Sequence, residues 1–109
     1  MHMEMVEHSA GPMRILELHG RLDAHTVAPV QAWLERATAG PEAQILVNLA
    51  DVAFIDSTAL GTLVQGLKRC RQGGGDLRLC CLQRPVRMIF ELTRLDRAFT
   101  ILTDEELAV

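Results

Sequence analysis

The chain has 109 residues, about half of them apolar and 23% charged, with a net charge of -3, which suits one domain with a sizeable core that needs neither disulfides nor a metal. The lack of a basic excess speaks against direct nucleic-acid binding and against a polybasic membrane patch. No apolar run approaches the length that spans a bilayer, and residues 1–5 lack a basic segment leading into a long apolar one, so a cytoplasmic protein without membrane insertion is expected.

In chain order, Met3 to Glu7 reads as an edge strand, Ser9-Ala10-Gly11-Pro12 as a turn and Met13 to His19 as an alternating second strand, together a hairpin. Gly20 and Asp23 mark the next boundary, with Asp23 an N-cap residue type, and Val27, Val30, Leu34 and Ala37 recur at helical spacing up to Gly40-Pro41. Ala43 to Asn48 contains the continuous run Ile45-Leu46-Val47, the pattern of a strand buried on both faces of a parallel sheet. After a polar break at Asp51, the patch Val52, Phe54, Ile55 leads into Asp56-Ser57-Thr58, all N-cap types, so a helix is predicted to begin near residue 57. Its stripe Leu60, Leu63, Val64, Leu67, Cys70 faces a core, Gln65, Lys68, Arg69 and Gln72 face solvent, and Gly73-Gly74-Gly75 ends it. Leu77, Leu79 and Leu82 mark a further strand, Pro85 to Leu92 a short helix, Phe99 to Leu102 a last strand and Asp104 to Ala108 a short terminal helix. The fold class is therefore α/β: one domain over residues 1–109, with a small mixed sheet, an N-terminal hairpin plus parallel strands, flanked by helices.

Chemistry-bearing residues are sparse. Cys70, Cys80 and Cys81 are odd in number and adjacent cysteines are poorly placed to pair, so buried thiols are expected rather than a disulfide framework. The four histidines have no HxxxH or CxxC companions for a zinc site, and the glycine run lacks the Gly-Lys-Ser/Thr of a phosphate loop, so no metal or cofactor is expected. Ser57 with His25 lacks an orienting third residue and a GxSxG turn, so an enzyme is not expected. Trp33 and the N-terminal methionines read as surface apolar groups, open to a place in an interface but ordinary as single residues. What remains is Ser57, a hydroxyl where a strand hands over to a helix, at the carboxyl edge of a parallel sheet where partners bind. Asp23 should sit near the same rim.

The segments HGRLDAHTV, ILVNLADVAFIDSTALGTLVQGLKR and LTRLDRAFTILTDEELA, taken together, resemble the STAS domain, specifically the bacterial anti-sigma-factor antagonist branch, over nearly the whole chain. The resemblance implies binding to an anti-sigma factor that is itself a serine kinase, phosphorylation of the Ser after the motif Asp, and reactivation by a PP2C-type phosphatase. Here that Ser is Ser57 and that Asp is Asp56, with Thr58 the weaker acceptor. The implied partner surface comprises Asp23, Asp56, Ser57, Thr58, Ala59 and Gly61, and self-association is expected at most as a weak homodimer. Two positions depart from the family pattern, Ala59 and Arg94, where glycine is common. An alternative assignment keeps the fold but makes the chain a scaffold or regulatory subunit of a stress-signalling or lipid-transport ABC assembly, without a phosphoswitch.

Overall fold

A computed structural model describes residues 2–103. Strands β1 (Met3–Ala10) and β2 (Met13–Gly20) form the predicted hairpin, joined by Gly11 and Pro12, with Gly11 in the left-handed region. Helix α1 (Ala28–Ala37), β3 (Gln44–Asp51), α2 (Ser57–Gln72), β4 (Asp76–Cys80), α3 (Arg84–Leu92) and β5 (Thr100–Leu102) follow, with a 3₁₀ turn at Leu95–Arg97. The sheet order is β1-β2-β3-β4-β5; β1 is antiparallel to β2 and the other pairs are parallel. Each crossover returns the chain to the next position in the sheet, so every strand from β2 onward points its carboxyl end to the same edge. The expected helix at Asp104 to Ala108 lies outside the described residues.

Strand alternation decides which residues meet the helices. Leu16 and Leu18 of β2, Ile45, Val47 and Leu49 of β3, and Leu77 and Leu79 of β4 are buried in one cluster with Val30 and Leu34 of α1, Leu63 and Leu67 of α2, and Val86 and Phe90 of α3. Phe90 meets Phe99 edge to face at 5.7 Å between centroids, tying α3 to the approach of β5. Trp33 also belongs to this core, at 4% exposure, with the Arg14 guanidinium 4.8 Å from its ring centre. The expectation of a surface tryptophan is thus corrected: it lies on the inward stripe of α1, three residues from Val30. Met3 and Met5 likewise pack against the core.

Helix α1 starts later than the sequence suggested, at Ala28 with Val27 in the capping position and Pro29 in the first turn. Proline has its φ preset for that first turn, which favours this start. Asp23 therefore does not cap α1. Instead its carbonyl accepts from the Thr26 and Val27 amides, closing a turn of its own. At the far end of α2, the Gly75 amide reaches back to the Cys70 carbonyl at 2.8 Å, with Gly74 left-handed. Gly75 passes so close to Ala43 that a Cβ there would lie 2.0 Å from the Ala43 carbonyl oxygen. Only glycine fits, and that close approach sets the start of β4 beside β3. Arg94, at the exit of α3, adopts φ 61. That is a conformation glycine takes readily and a residue with a Cβ rarely does.

Candidate functional site

The carboxyl edge of the sheet brings together the β2–α1 and β3–α2 loops. Leu22 and Ile55 form a single parallel bridge, in which the Leu22 amide donates to the Phe54 carbonyl at 3.2 Å and the Asp56 amide to the Leu22 carbonyl at 3.3 Å. Leu22 at 0% and Ile55 at 2% exposure anchor this bridge in the core. The loops therefore form one surface rather than two separate excursions.

Asp56 locks them further. One carboxylate oxygen accepts from the Ala59 amide at 2.9 Å and so caps α2, while the other accepts from the Ala24 amide at 2.9 Å across the rim. Asp56 has extended backbone, φ -108 and ψ 178, as an N-cap residue should. The helix thus begins at Ser57, where the sequence placed it, but the cap is Asp56 and not Ser57. Ser57 and Thr58 are exposed in the first turn, and among the described residues the Ser57 hydroxyl makes no hydrogen bond. It sits where the open N–H groups and dipole of α2 favour negative charge.

Asp23 lies under this surface. Its side chain is almost fully enclosed and accepts from the Arg21 Nε at 2.9 Å and the His25 amide at 2.9 Å. Burial pulls its carboxyl upward, but the His25 amide and the Arg21 guanidinium outweigh that and hold it below the usual carboxylate range. Thr26, also buried, donates its hydroxyl to the Arg21 carbonyl at 2.7 Å and accepts from the Asp23 amide at 3.0 Å, so the Arg21–Thr26 turn is rigid. Arg21 itself stacks on Phe54, its guanidinium carbon 3.6 Å from the ring centre. Phe54 is 37% exposed, an aromatic face at the rim.

Of the six residues expected to meet a partner, Ser57, Thr58 and Gly61 are exposed at the rim and Asp56 is half-buried, while Asp23 and Ala59 are buried beneath them. Ala59 is 0% exposed. Its methyl group belongs to the core, and its amide is the one that Asp56 holds. Gly61 has nothing within 4 Å of a would-be Cβ and opens onto a groove of about 270 Å³ between α1 and α2, flanked by Thr58, Thr62, Gln31, Gln65 and Arg69. The Arg21–Phe54 pair and this groove escaped the sequence reading. Phe54 offers no signal of the pair in sequence, since its partner is set by the bridge between the loops.

A second fastening sits at the foot of the two loops. His19, near the end of β2, shares a hydrogen through Nδ1 with Asp51 at 2.9 Å and lies 3.4 Å from Glu17 through Nε2, while His8 of β1 reaches the other Glu17 oxygen at 2.9 Å. His8 and His19 therefore converge on Glu17. The hydrogen bond to Asp51, reinforced by Glu17 against some desolvation, raises the His19 pKa. A raised histidine value means tighter proton binding in the folded state, so its stabilisation is complete below the ordinary value of 6.5 and is lost as pH rises through the raised value. Urea midpoints measured from about pH 5 to about pH 9 should fall across that window, and His19→Gln should flatten the fall. An unchanged slope in the variant would assign the dependence to another group.

Comparison with known proteins fits this geometry. The STAS domain family model matches residues 4–108. The chain belongs to the STAS domain family. This STAS domain is 29% identical over 106 residues to an anti-sigma F factor antagonist of Paenibacillus polymyxa, covering 96% of this chain and 89% of that one. Its fold matches an anti-sigma-factor antagonist domain protein of Planctomyces limnophilus with a TM-score of 0.84 at 19% identity, covering 95% and 93% of the two chains. It also matches the Bacillus cell fate determinant SpoIIAA in its phosphorylated form, with a TM-score of 0.72 at 21% identity, covering 96% of each chain. Among the described residues of this STAS domain, no helix is long and apolar enough to cross a membrane and no cluster of side chains is arranged to hold a metal ion.

Proposed function

We propose that this STAS domain is an anti-sigma factor antagonist that binds an anti-sigma factor serine kinase through the rim around Ser57, and that phosphorylation of Ser57 by that kinase ends the complex. A PP2C-type phosphatase restores the binding form. The observation that carries this reading is the division of labour at the start of α2: Asp56 supplies the cap, which leaves the exposed Ser57 hydroxyl without a structural task. A serine that capped the helix would lose that bond on phosphorylation; this one does not hold it. The names of the relatives support the partner class, and the phosphorylated state of one structurally similar protein is consistent with the modification.

The proposed switch is electrostatic and steric. A phosphoserine brings about -1.5 to -2 charges, which the N-terminus of α2 tolerates but an apposed partner surface shaped for a hydroxyl does not. Phe54, stacked on Arg21, offers that partner an aromatic contact beside the switch, and the Gly61 groove admits a side chain. Incubation with the cognate kinase, Mg and ATP followed by fragment mass spectrometry should place one phosphate on Ser57. Phosphate on neither Ser57 nor Thr58 would sink the reading.

A further inference from the structure

Cys80 ends β4 and Cys81 begins the loop to α3. In an extended strand neighbouring side chains point to opposite faces, so adjacent thiols ordinarily stay apart. Here Cys81 adopts φ 67, in the left-handed region, and the turn swings its side chain toward that of Cys80. The two Sγ atoms lie 2.8 Å apart, with the Cys81 thiol directed at the Cys80 sulfur. A left-handed conformation is unfavourable for a residue with a Cβ, and such strain collects at functional positions. No disulfide joins them, in line with the sequence expectation, yet the turn brings the two sulfurs into contact.

We propose that Cys80 and Cys81 form a redox-sensitive dithiol that a soluble small-molecule disulfide oxidises to a vicinal disulfide. Cys81 is the half-buried residue of the two, whereas Cys80 is fully buried beside it. The Cys81 thiolate attacks one sulfur of the oxidant, forming a mixed disulfide and expelling one thiolate that takes up a proton. The Cys80 thiolate then attacks the Cys81 sulfur, forming the Cys80–Cys81 bond and expelling the second thiolate. One disulfide is reduced to two thiols and one protein dithiol is oxidised, so electrons and protons balance. Neighbouring Cα atoms lie about 3.8 Å apart, below the separation that disulfides usually span, so the bond is strained and readily reduced again. That property suits a reversible modification rather than a structural staple. Cys70 is a contrasting thiol: burial, with a smaller effect from Asp76, pushes it up to about 11, and it lies on the inward stripe of α2.

The full chain, treated with excess oxidised glutathione, quenched in acid and alkylated in denaturant, should carry one alkyl group, on Cys70. Its Cys80–Cys81 peptide should be lighter by two hydrogens, and dithiothreitol should return all three thiols to alkylation. Cys80→Ser should stop at the first step and hold glutathione on Cys81. Cys81→Gly, which keeps the left-handed turn open to a residue without a Cβ, should lose the mass change while keeping its circular dichroism. Alkylation of all three cysteines in the treated wild-type chain, a glutathione adduct that Cys80 does not displace, or disulfide-linked dimers in its place would each overturn the proposal.

Discussion

Ser57→Asp is expected to weaken binding to the cognate anti-sigma kinase at least about thirtyfold while leaving the domain as stable as before or slightly more so. The two effects have opposite signs because they arise on opposite sides of the same side chain. Toward the protein, a carboxylate in the first turn of α2 meets the positive end of the helix dipole, which is favourable by about 0.3–1 kcal/mol. Toward the partner, an unpaired charge is brought into an interface, at a cost of about 2 kcal/mol or more, and each 1.4 kcal/mol is about tenfold in Kd. Ser57→Ala removes a hydroxyl that holds no hydrogen bond among the described residues, so it should bind as the unmodified chain does and stay bound in the presence of Mg and ATP. Titration calorimetry against the kinase, with urea midpoints measured alongside, separates the effects. Equal affinity for the wild-type, Ala and Asp forms would place the interface elsewhere. A fall in affinity that tracks a fall in stability would make Ser57 a folding residue instead.

The elements were largely legible because their signals are local. Periodicity in Leu60, Leu63, Leu67 and Cys70 and the glycine run after Gln72 are enough to draw α2, and the apolar run at Ile45 is enough to draw β3. The rim was legible only in part, because its order depends on which of several equivalent residues wins each contact. Asp56, Ser57 and Thr58 are all N-cap types, and the cap went to Asp56, which also reaches the Ala24 amide from the other loop. Asp23 has the same local chemistry, yet Arg21, His25 and Thr26 draw it into its own turn, and Pro29 moves the helix start beyond its reach. The family resemblance puts Ala59 on the surface, whereas a helix turns by about 100° per residue and carries position 59, beside buried Leu60, onto the core face. Arg21 over Phe54 and His19 against Asp51 are contacts between segments roughly 30 residues apart, which no window of sequence displays.

These same contacts make Asp56, rather than Ser57, the residue on which the shape of the site depends. Asp56→Ala removes two acceptors at once. The Ala59 amide loses its cap, at about 1 kcal/mol, and the Ala24 amide loses its link across the rim, where water replaces part of what is lost. A destabilisation of about 2 kcal/mol is expected, read from urea midpoints. Asp56→Asn divides the two contributions. Asparagine is as good an N-cap as aspartate, so its oxygen can keep the Ala59 bond, but its NH₂ group would then face the Ala24 N–H, and two donors cannot bond. The Asn form should therefore lose about half as much stability as the Ala form while releasing the β2–α1 loop from the start of α2. Under the proposed function, both variants should be phosphorylated more slowly than wild type at temperatures where both remain folded, because the hydroxyl stays in place while the surface presenting it does not. Phosphorylation of the Asn form at the wild-type rate would show that the kinase reads the helix start alone, and that the second loop serves only the fold.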